Sequence, residues 1–174
     1  MATTRRGFLK VGALAALALA AGGGIYRLTR APAVPGPFVL DGEARSALEA
    51  MVPAMLGAAL PLEAGARAAA IKTTTLHVHQ AILGLPRATQ KELQDLFGLL
   101  ALGPARRFLA GVPEGWGSAS AEQVGAFLQS WRTHRLAMLQ TAYHGLHDLI
   151  IGSWYADPAS WNAIGYPGPM PQLS

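Results

Sequence analysis

From residue 41 onward, apolar residues recur at the three- and four-residue spacing of amphipathic helices, and no stretch alternates as a strand would. Ala47, Leu48, Met51, Met55 and Leu56 mark a first helix, with Asp41 as N-cap and Glu43 in its first turn. Pro53 lies inside this run and is expected to kink or end it. A second helix is expected over roughly 62–84, against the grain of Thr73, Thr74, Thr75 and Val78, whose β-branched side chains lose rotamer freedom in a helix. Pro86 suits the opening turn of a third helix, with Leu93, Leu96, Phe97 and Leu100 on one face and Gly103–Pro104 as its stop. Pro113 to Gly117 reads as a loop.

Ser120 and Gln123 have the spacing of a capping box, and the longest helix is expected to follow, about 120–154. Its stripe runs through Val124, Leu128, Trp131, Leu139, Ala142 or Tyr143, Leu146 and Ile150, broken by Arg135, over about 50 Å of axis. Asp157–Pro158 ends it. The rest of the chain, with Pro158, Pro167, Pro169 and Pro171, cannot continue a helix and reads as an extended arm from residue 157. The expected fold is all-α: a small bundle of about four helices, an N-terminal signal helix and an extended Pro/aromatic C-terminal arm.

The chain opens differently. Thr4, Arg5, Arg6, Phe8, Leu9 and Lys10 precede an apolar run, Val11–Tyr26, built mainly of Ala, Leu and Gly. A positive segment before a short apolar run is the layout of an export signal, and paired arginines followed by Phe8, Leu9 and Lys10 match the twin-arginine type, which exports folded cargo. The 16 residues of Val11–Tyr26 fall short of the roughly 20 that a spanning helix needs. Ala18–Ala20 and Ala31–Ala33 both offer a small-x-small cleavage pattern, so removal of the leader is favoured over an uncleaved anchor. The expected organisation is a leader over 1–30, a Pro-rich linker over 31–40 and a helical domain over 41–174.

Charge sharpens that division. Five of the 14 cations lie before residue 31, and all ten acids lie after it, so the remainder carries nine cations against ten anions. The basic pI belongs to the leader, and the body lacks the positive surface that nucleic acid requires. Charged residues are 14% of the chain, against roughly 25% in an average soluble domain, so part of the apolar surface is expected to face another protein or lipid. With no cysteine in the chain, thiolate metal sites, cysteine-held iron–sulfur clusters and covalently attached c-type haem are excluded for this chain alone.

Five histidines are the candidates for ligands or bases. His144 and His147 lie three apart on one helical face beside Asp148, the spacing of metal pairs in helical bundles. Such sites also need inward glutamates, and Glu122, the other acid on that expected helix, is roughly six turns away. His77 and His79, two apart, point to different sides of their helix. No nucleophile elbow of the Gly-x-Ser-x-Gly kind occurs, and no dinucleotide loop follows a strand. The expectation is a non-catalytic chain without a metal or cofactor of its own. The competing reading is a stand-alone periplasmic helical protein that binds metal or haem through His144 and His147. A third reading is a small membrane-anchored structural protein that keeps its leader.

The C-terminal run Trp154, Tyr155, Asp157, Pro158, Trp161, Asn162, Gly165, Tyr166, Pro167, Gly168 and Pro169 closely resembles the signature of the gluconate 2-dehydrogenase subunit 3 family. The stretch from Leu85 to Phe108 and the run Phe127, Leu128, Trp131 and Arg132 are similar to the same family, so the resemblance covers most of 41–169. It implies a small, non-catalytic subunit that carries the export signal for a large flavoprotein dehydrogenase of the glucose-methanol-choline type and stabilises it. FAD is then expected in the partner, and a multihaem cytochrome c subunit can complete the assembly. It also implies the twin-arginine translocase as a partner, a periplasmic location and association with the inner membrane. Partner contacts are expected at Trp131, Trp154, Tyr155, Trp161, Tyr166, Pro167, Gly168 and Pro169. Trp161 and Tyr166 also qualify independently, as large aromatic area on a proline-stiffened arm.

Replacing Arg5 and Arg6 together with lysine removes the guanidinium forks that the export machinery reads. The double variant should accumulate in the cytoplasm. Cell fractionation checks this, and normal periplasmic levels would mean that another export route is used.

Overall fold

The computed structural model describes residues 36–161 and 165–168, which belong to one unit beginning at Gly36. Among the described residues there are seven α-helices, two 3₁₀ turns and no strand, so the fold is all-α. The leader residues Thr4, Arg5, Arg6, Phe8, Leu9 and Lys10 lie outside the described residues, as do Asn162 and Pro169.

Helix α1 (Gly42–Leu56) sits at the centre, in contact with the second, third, fifth and sixth helices of the chain. Ala44, Ala47, Leu48, Met51, Val52 and Leu56 are all buried. Asp41 occupies the N-cap as expected, though its side chain makes no capping hydrogen bond. Pro53 does not end the helix at once. It continues to Leu56, and Gly57, at φ +51°, then turns the chain away while donating its N–H to the Pro53 carbonyl.

Helix α2 (Ala64–Leu83) is the longest, at 20 residues. The Glu63 carboxylate caps it, accepting hydrogen bonds from the N–H groups of Gly65 and Ala66 at 2.8 and 2.6 Å. The threonine run stays helical. Thr74 donates its hydroxyl to the Ala70 carbonyl at 2.8 Å, and both Thr74 and Thr75 are buried. Packing across the helix outweighs a propensity cost of a few tenths of a kcal/mol per residue.

Helix α3 (Arg87–Ala101) begins one residue after Pro86 and buries Phe97 and Leu100. Gly103–Pro104 stops α3 only to start α4 (Gly103–Leu109). Leu102 is extended, and Pro104 falls in the first turn, where its missing N–H costs nothing. Arg106 fixes this corner, its guanidinium donating to Glu43 at 2.8 Å and to the Val112 carbonyl at 3.2 Å. The loop that follows contains a 3₁₀ turn, Trp116–Ser118. Trp116 is only 1% exposed and donates its indole N–H to the Leu100 carbonyl at 2.9 Å.

The single helix expected over 120–154 is two. Helix α5 (Ala121–Arg132) opens with the capping box, Ser120 and Gln123 exchanging hydrogen bonds at 2.9 and 3.1 Å. It stops at Thr133, and α6 (Ala137–Tyr155) starts four residues later. The cause is local hydrogen bonding that competes with the helix. His134 accepts the Leu136 N–H on Nδ1 at 3.0 Å, and the His134 carbonyl accepts from Gln140 at 2.7 Å. The apolar stripe survives because both helices pack on α1 and on each other. Val124, Leu128, Trp131, Leu139, Leu146 and Ile150 are all buried. Five helices of twelve or more residues therefore stand where about four were expected.

The linker is also corrected at its C-terminal end. Residues 36–40 are not helical, but Phe38 and Leu40 are buried, so the packed unit begins before Asp41. Gln90 holds them. Its side-chain oxygen accepts from the Phe38 N–H at 3.1 Å and from Arg87 at 3.0 Å, and its amide donates to the Leu83 and Leu85 carbonyls at 3.0 and 2.8 Å. Gln94, one turn on, accepts the Val39 N–H at 2.8 Å. The Phe38 ring then packs against His79 and Phe97, with centroids 5.7 and 5.8 Å away. Burying such a ring contributes about 2–3 kcal/mol.

Two stability predictions follow from these contacts. Gln90→Leu keeps the volume but strands one buried N–H and two carbonyls. It should cost about 2–3 kcal/mol, because each unpaired group loses its hydrogen bond to water as well. Urea unfolding of parent and variant measures this directly. The two N–H donors hold the Glu63 carboxyl below its usual pKa, so its contribution is full above the ordinary carboxylate range and disappears as pH falls through the lowered value. Glu63→Gln should therefore melt below the parent at neutral pH, and the two should converge in acid. Thermal melts across pH test that convergence.

Candidate interaction site

The C-terminal run from Trp154 forms a knuckle on the end of α6. After Tyr155 the chain turns at Asp157, whose carboxylate accepts the Ala159 N–H at 2.9 Å and whose carbonyl accepts from Ser160. Pro158 thus starts a four-residue helix, α7 (Pro158–Trp161), rather than an extended arm. Trp161 reaches back and donates its indole N–H to the Tyr155 carbonyl at 2.8 Å. Tyr166 closes the turn, its N–H donating to the Trp161 carbonyl at 3.0 Å and its ring meeting the Trp161 ring edge-on at 5.2 Å. Gly168, at φ +94°, then passes over the indole so closely that a Cβ would lie 3.1 Å from it. Only glycine suits both that backbone and that gap.

The expected contact residues divide sharply. Tyr155 and Tyr166 are 42% and 44% exposed, Pro167 is exposed and Trp161 is half-buried. The Trp161 and Tyr166 rings form one pair at the surface, and Tyr155 and Pro167 lie exposed next to them in the chain. Trp131 does not belong to this group. It is 1% exposed, stacked edge-on against Phe127 at 4.7 Å, and its indole serves the core. Trp154 is buried as well, and its N–H has no acceptor among the described residues. Gly168 is buried against the Trp161 indole and shapes the knuckle without offering surface.

Beside the knuckle an open groove of about 380 Å³ is lined by His77, Gln80 and Ala81 of α2 and by Gly152, Ser153 and Ala156 at the end of α6. His77 Nδ1 stands 3.8 Å from an Asp157 carboxylate oxygen, so α2 and the knuckle meet at the groove's edge. Sequence reasoning did not find this groove. Small residues such as Ala81, Gly152 and Ala156 are as common in cores as in clefts, and only the pairing of α2 with α6 distinguishes the two.

The histidines are scattered. His79 packs on Phe38, and His134 holds the α5–α6 turn. His147 lies 3.1 Å from Asp148 and tilts against Tyr143, which also meets His144 edge-on. Among the described residues no group of three or more His, Asp or Glu side chains is placed to hold a metal ion. What the knuckle and groove offer is contact area: exposed aromatic rings on a backbone fixed by hydrogen bonds, next to an apolar cleft. No family model, curated protein or solved structure matches the chain.

Gly168→Ala should loosen the knuckle without unfolding the helices. The expected outcome is unchanged far-ultraviolet circular dichroism with a red-shifted tryptophan emission and a stability loss of about 1 kcal/mol, from backbone strain and the displaced indole.

Proposed function

We propose that the chain is a non-catalytic small subunit. It supplies a twin-arginine export signal to a flavin-dependent dehydrogenase of the glucose-methanol-choline type and stabilises that partner. The observation that carries this reading is the knuckle itself. The residues through which the tail resembles the gluconate 2-dehydrogenase subunit 3 family, Tyr155, Trp161, Tyr166 and Pro167, are half-buried or exposed together. Gly168 and the Trp161 N–H fix their arrangement in advance, which lowers the ordering cost of binding. In the core these aromatic side chains would serve only packing; at the surface they are the residue types that anchor interfaces.

The division of labour follows from this. The leader, a signal helix over 1–30, addresses the translocase and delivers the complex to the periplasmic face of the inner membrane. The helical body, a small bundle, grips the large subunit. The flavoprotein carries FAD and the chemistry, and a multihaem cytochrome c takes up the electrons. No helix among the described residues is long and apolar enough to cross a membrane. The surface supports an interface of this kind. Phe108 is 82% exposed, and Leu62, Leu102, Leu136 and Met138 are exposed too, on a body with little charge.

Tagged chain isolated from periplasm should retain a flavoprotein, identified by its absorbance near the flavin bands and by mass spectrometry. Tyr155→Ser combined with Tyr166→Ser should reduce retention by roughly tenfold or more, since each buried aromatic anchor is worth about 1 kcal/mol or above. Circular dichroism should not change. A parent chain that retains no flavoprotein overturns the reading, and full retention by the double variant moves the interface away from the knuckle.

A further inference from the structure

Helix α2 and the knuckle meet at the edge of the groove through one pair of titratable side chains. His77 Nδ1 stands 3.8 Å from one Asp157 carboxylate oxygen. The other Asp157 oxygen accepts the Ala159 N–H that starts α7. The rest of the knuckle is held by its own bonds and by α6. The Trp161 indole donates to the Tyr155 carbonyl, and the Tyr166 N–H donates to the Trp161 carbonyl. Among the described residues, His77 is the only side chain of α2 with a polar partner in the knuckle.

We propose that His77 and Asp157 form a pH-sensitive latch, which fixes the knuckle to α2 while the imidazole is protonated. Imidazole is the side chain whose charge ordinarily changes between about pH 5 and 8. Protonated, it attracts the carboxylate across the gap; neutral, it leaves Asp157 held only by the Ala159 N–H. The stabilisation is therefore present on the acid side of the imidazole range and is lost as pH rises through it. It is lost again in stronger acid, where the carboxylate itself takes up a proton. The His77 and Asp157 side chains are 38% and 21% exposed. Solvent thus screens the pair, and it shifts the balance between a held and a released knuckle by about two- to fivefold.

No other charged side chain among the described residues lines the groove. On the same face of α2, Thr73, Thr74, Gln80 and Ala81 are neutral. Lys72 lies five positions away, and His79 packs on Phe38. Helix α6 brings only Gly152, Ser153 and Ala156 to the groove. Its titratable groups are Tyr143, His144, His147 and Asp148, a turn or more before Gly152, and the exposed Tyr155. On α1, Glu43 pairs with Arg106 and Arg45 donates to the Leu40 carbonyl. Glu49 makes no salt bridge among the described residues. Asp157 is thus the charge that His77 faces. The latch ties down the segment that carries Trp161 and Tyr166, so the hold on that ring pair follows pH. It belongs to the chain by itself and does not rest on the flavoprotein reading.

Hydrogen exchange of the Trp161 indole N–H reads the latch, because release of the knuckle breaks its bond to the Tyr155 carbonyl. Its NMR signal in the full-length protein is identified by its loss in Trp161→Phe. Parent and variants are compared at equal pH, which cancels the intrinsic pH dependence of exchange. At about pH 5.5 His77→Gln should exchange roughly two- to fivefold faster than the parent, and at about pH 8 the two should agree. Asp157→Asn keeps a side-chain oxygen for the Ala159 N–H and removes the charge, so it should behave as His77→Gln does. The double variant should add nothing further, since either change alone removes the pair. A ratio of variant to parent that is the same at both pH values overturns the proposal, whether it is unity or a constant loss of packing. So does an Asp157→Asn variant that matches the parent at about pH 5.5, or a double variant whose loss is the sum of the two.

Discussion

Four hydrogen bonds on one buried amide hold the junction on which the rest of the fold depends. Gln90 is 2% exposed, and its oxygen and nitrogen each serve two partners, drawn from the entering chain, the turn after α2 and the start of α3. The arrangement is stable because it is complete. A buried amide with one bond missing loses its hydration without repayment, whereas a fully paired one fixes three segments at once. Phe38 can then be inserted against His79 and Phe97, and α1 starts from a defined place.

From that start α1 becomes the common surface of the molecule. Its buried residues accept α2 and α6 as well as α3 and α5. A row of aromatic rings, Trp116, Phe127 and Trp131, runs beside it with centroids 5.6 and 4.7 Å apart. Trp116 belongs to a loop, yet it is held as firmly as a helical residue, since its indole N–H closes the last turn of α3 through the Leu100 carbonyl. The same device recurs at the C-terminus, where the Trp161 indole closes the last turn of α6 through Tyr155. Both helix ends leave carbonyls without intrahelical partners, and in both a tryptophan from the following segment supplies the donor.

The difference between the two tryptophans carries the functional argument. Trp116 turns inward and completes the core. Trp161 turns back along the surface and holds two tyrosines outward, beside a groove floored by small side chains. A fixed aromatic surface on a charge-poor body is suited to contact with another protein.

The periodicity of apolar residues determined the all-α class, the helices over 42–56, 64–83 and 87–101 to within a few residues, and which side of the first and third is buried, because burial of one stripe is what makes a helix amphipathic. Local chemistry likewise determined the Ser120–Gln123 cap. Three things were not legible in the sequence. The break between α5 and α6 leaves the stripe intact, since a helix pair folded on α1 buries the same positions as one straight helix, and the hydrogen bonds of His134 decide between them. The residues before Asp41 carry prolines that announce a linker, while Phe38 is buried only because Gln90, some fifty positions later, receives its N–H. Last, Trp131 and Tyr166 are equally aromatic in sequence, and only the packing of α5 and α6 on α1 placed one in the core and left the other on the surface.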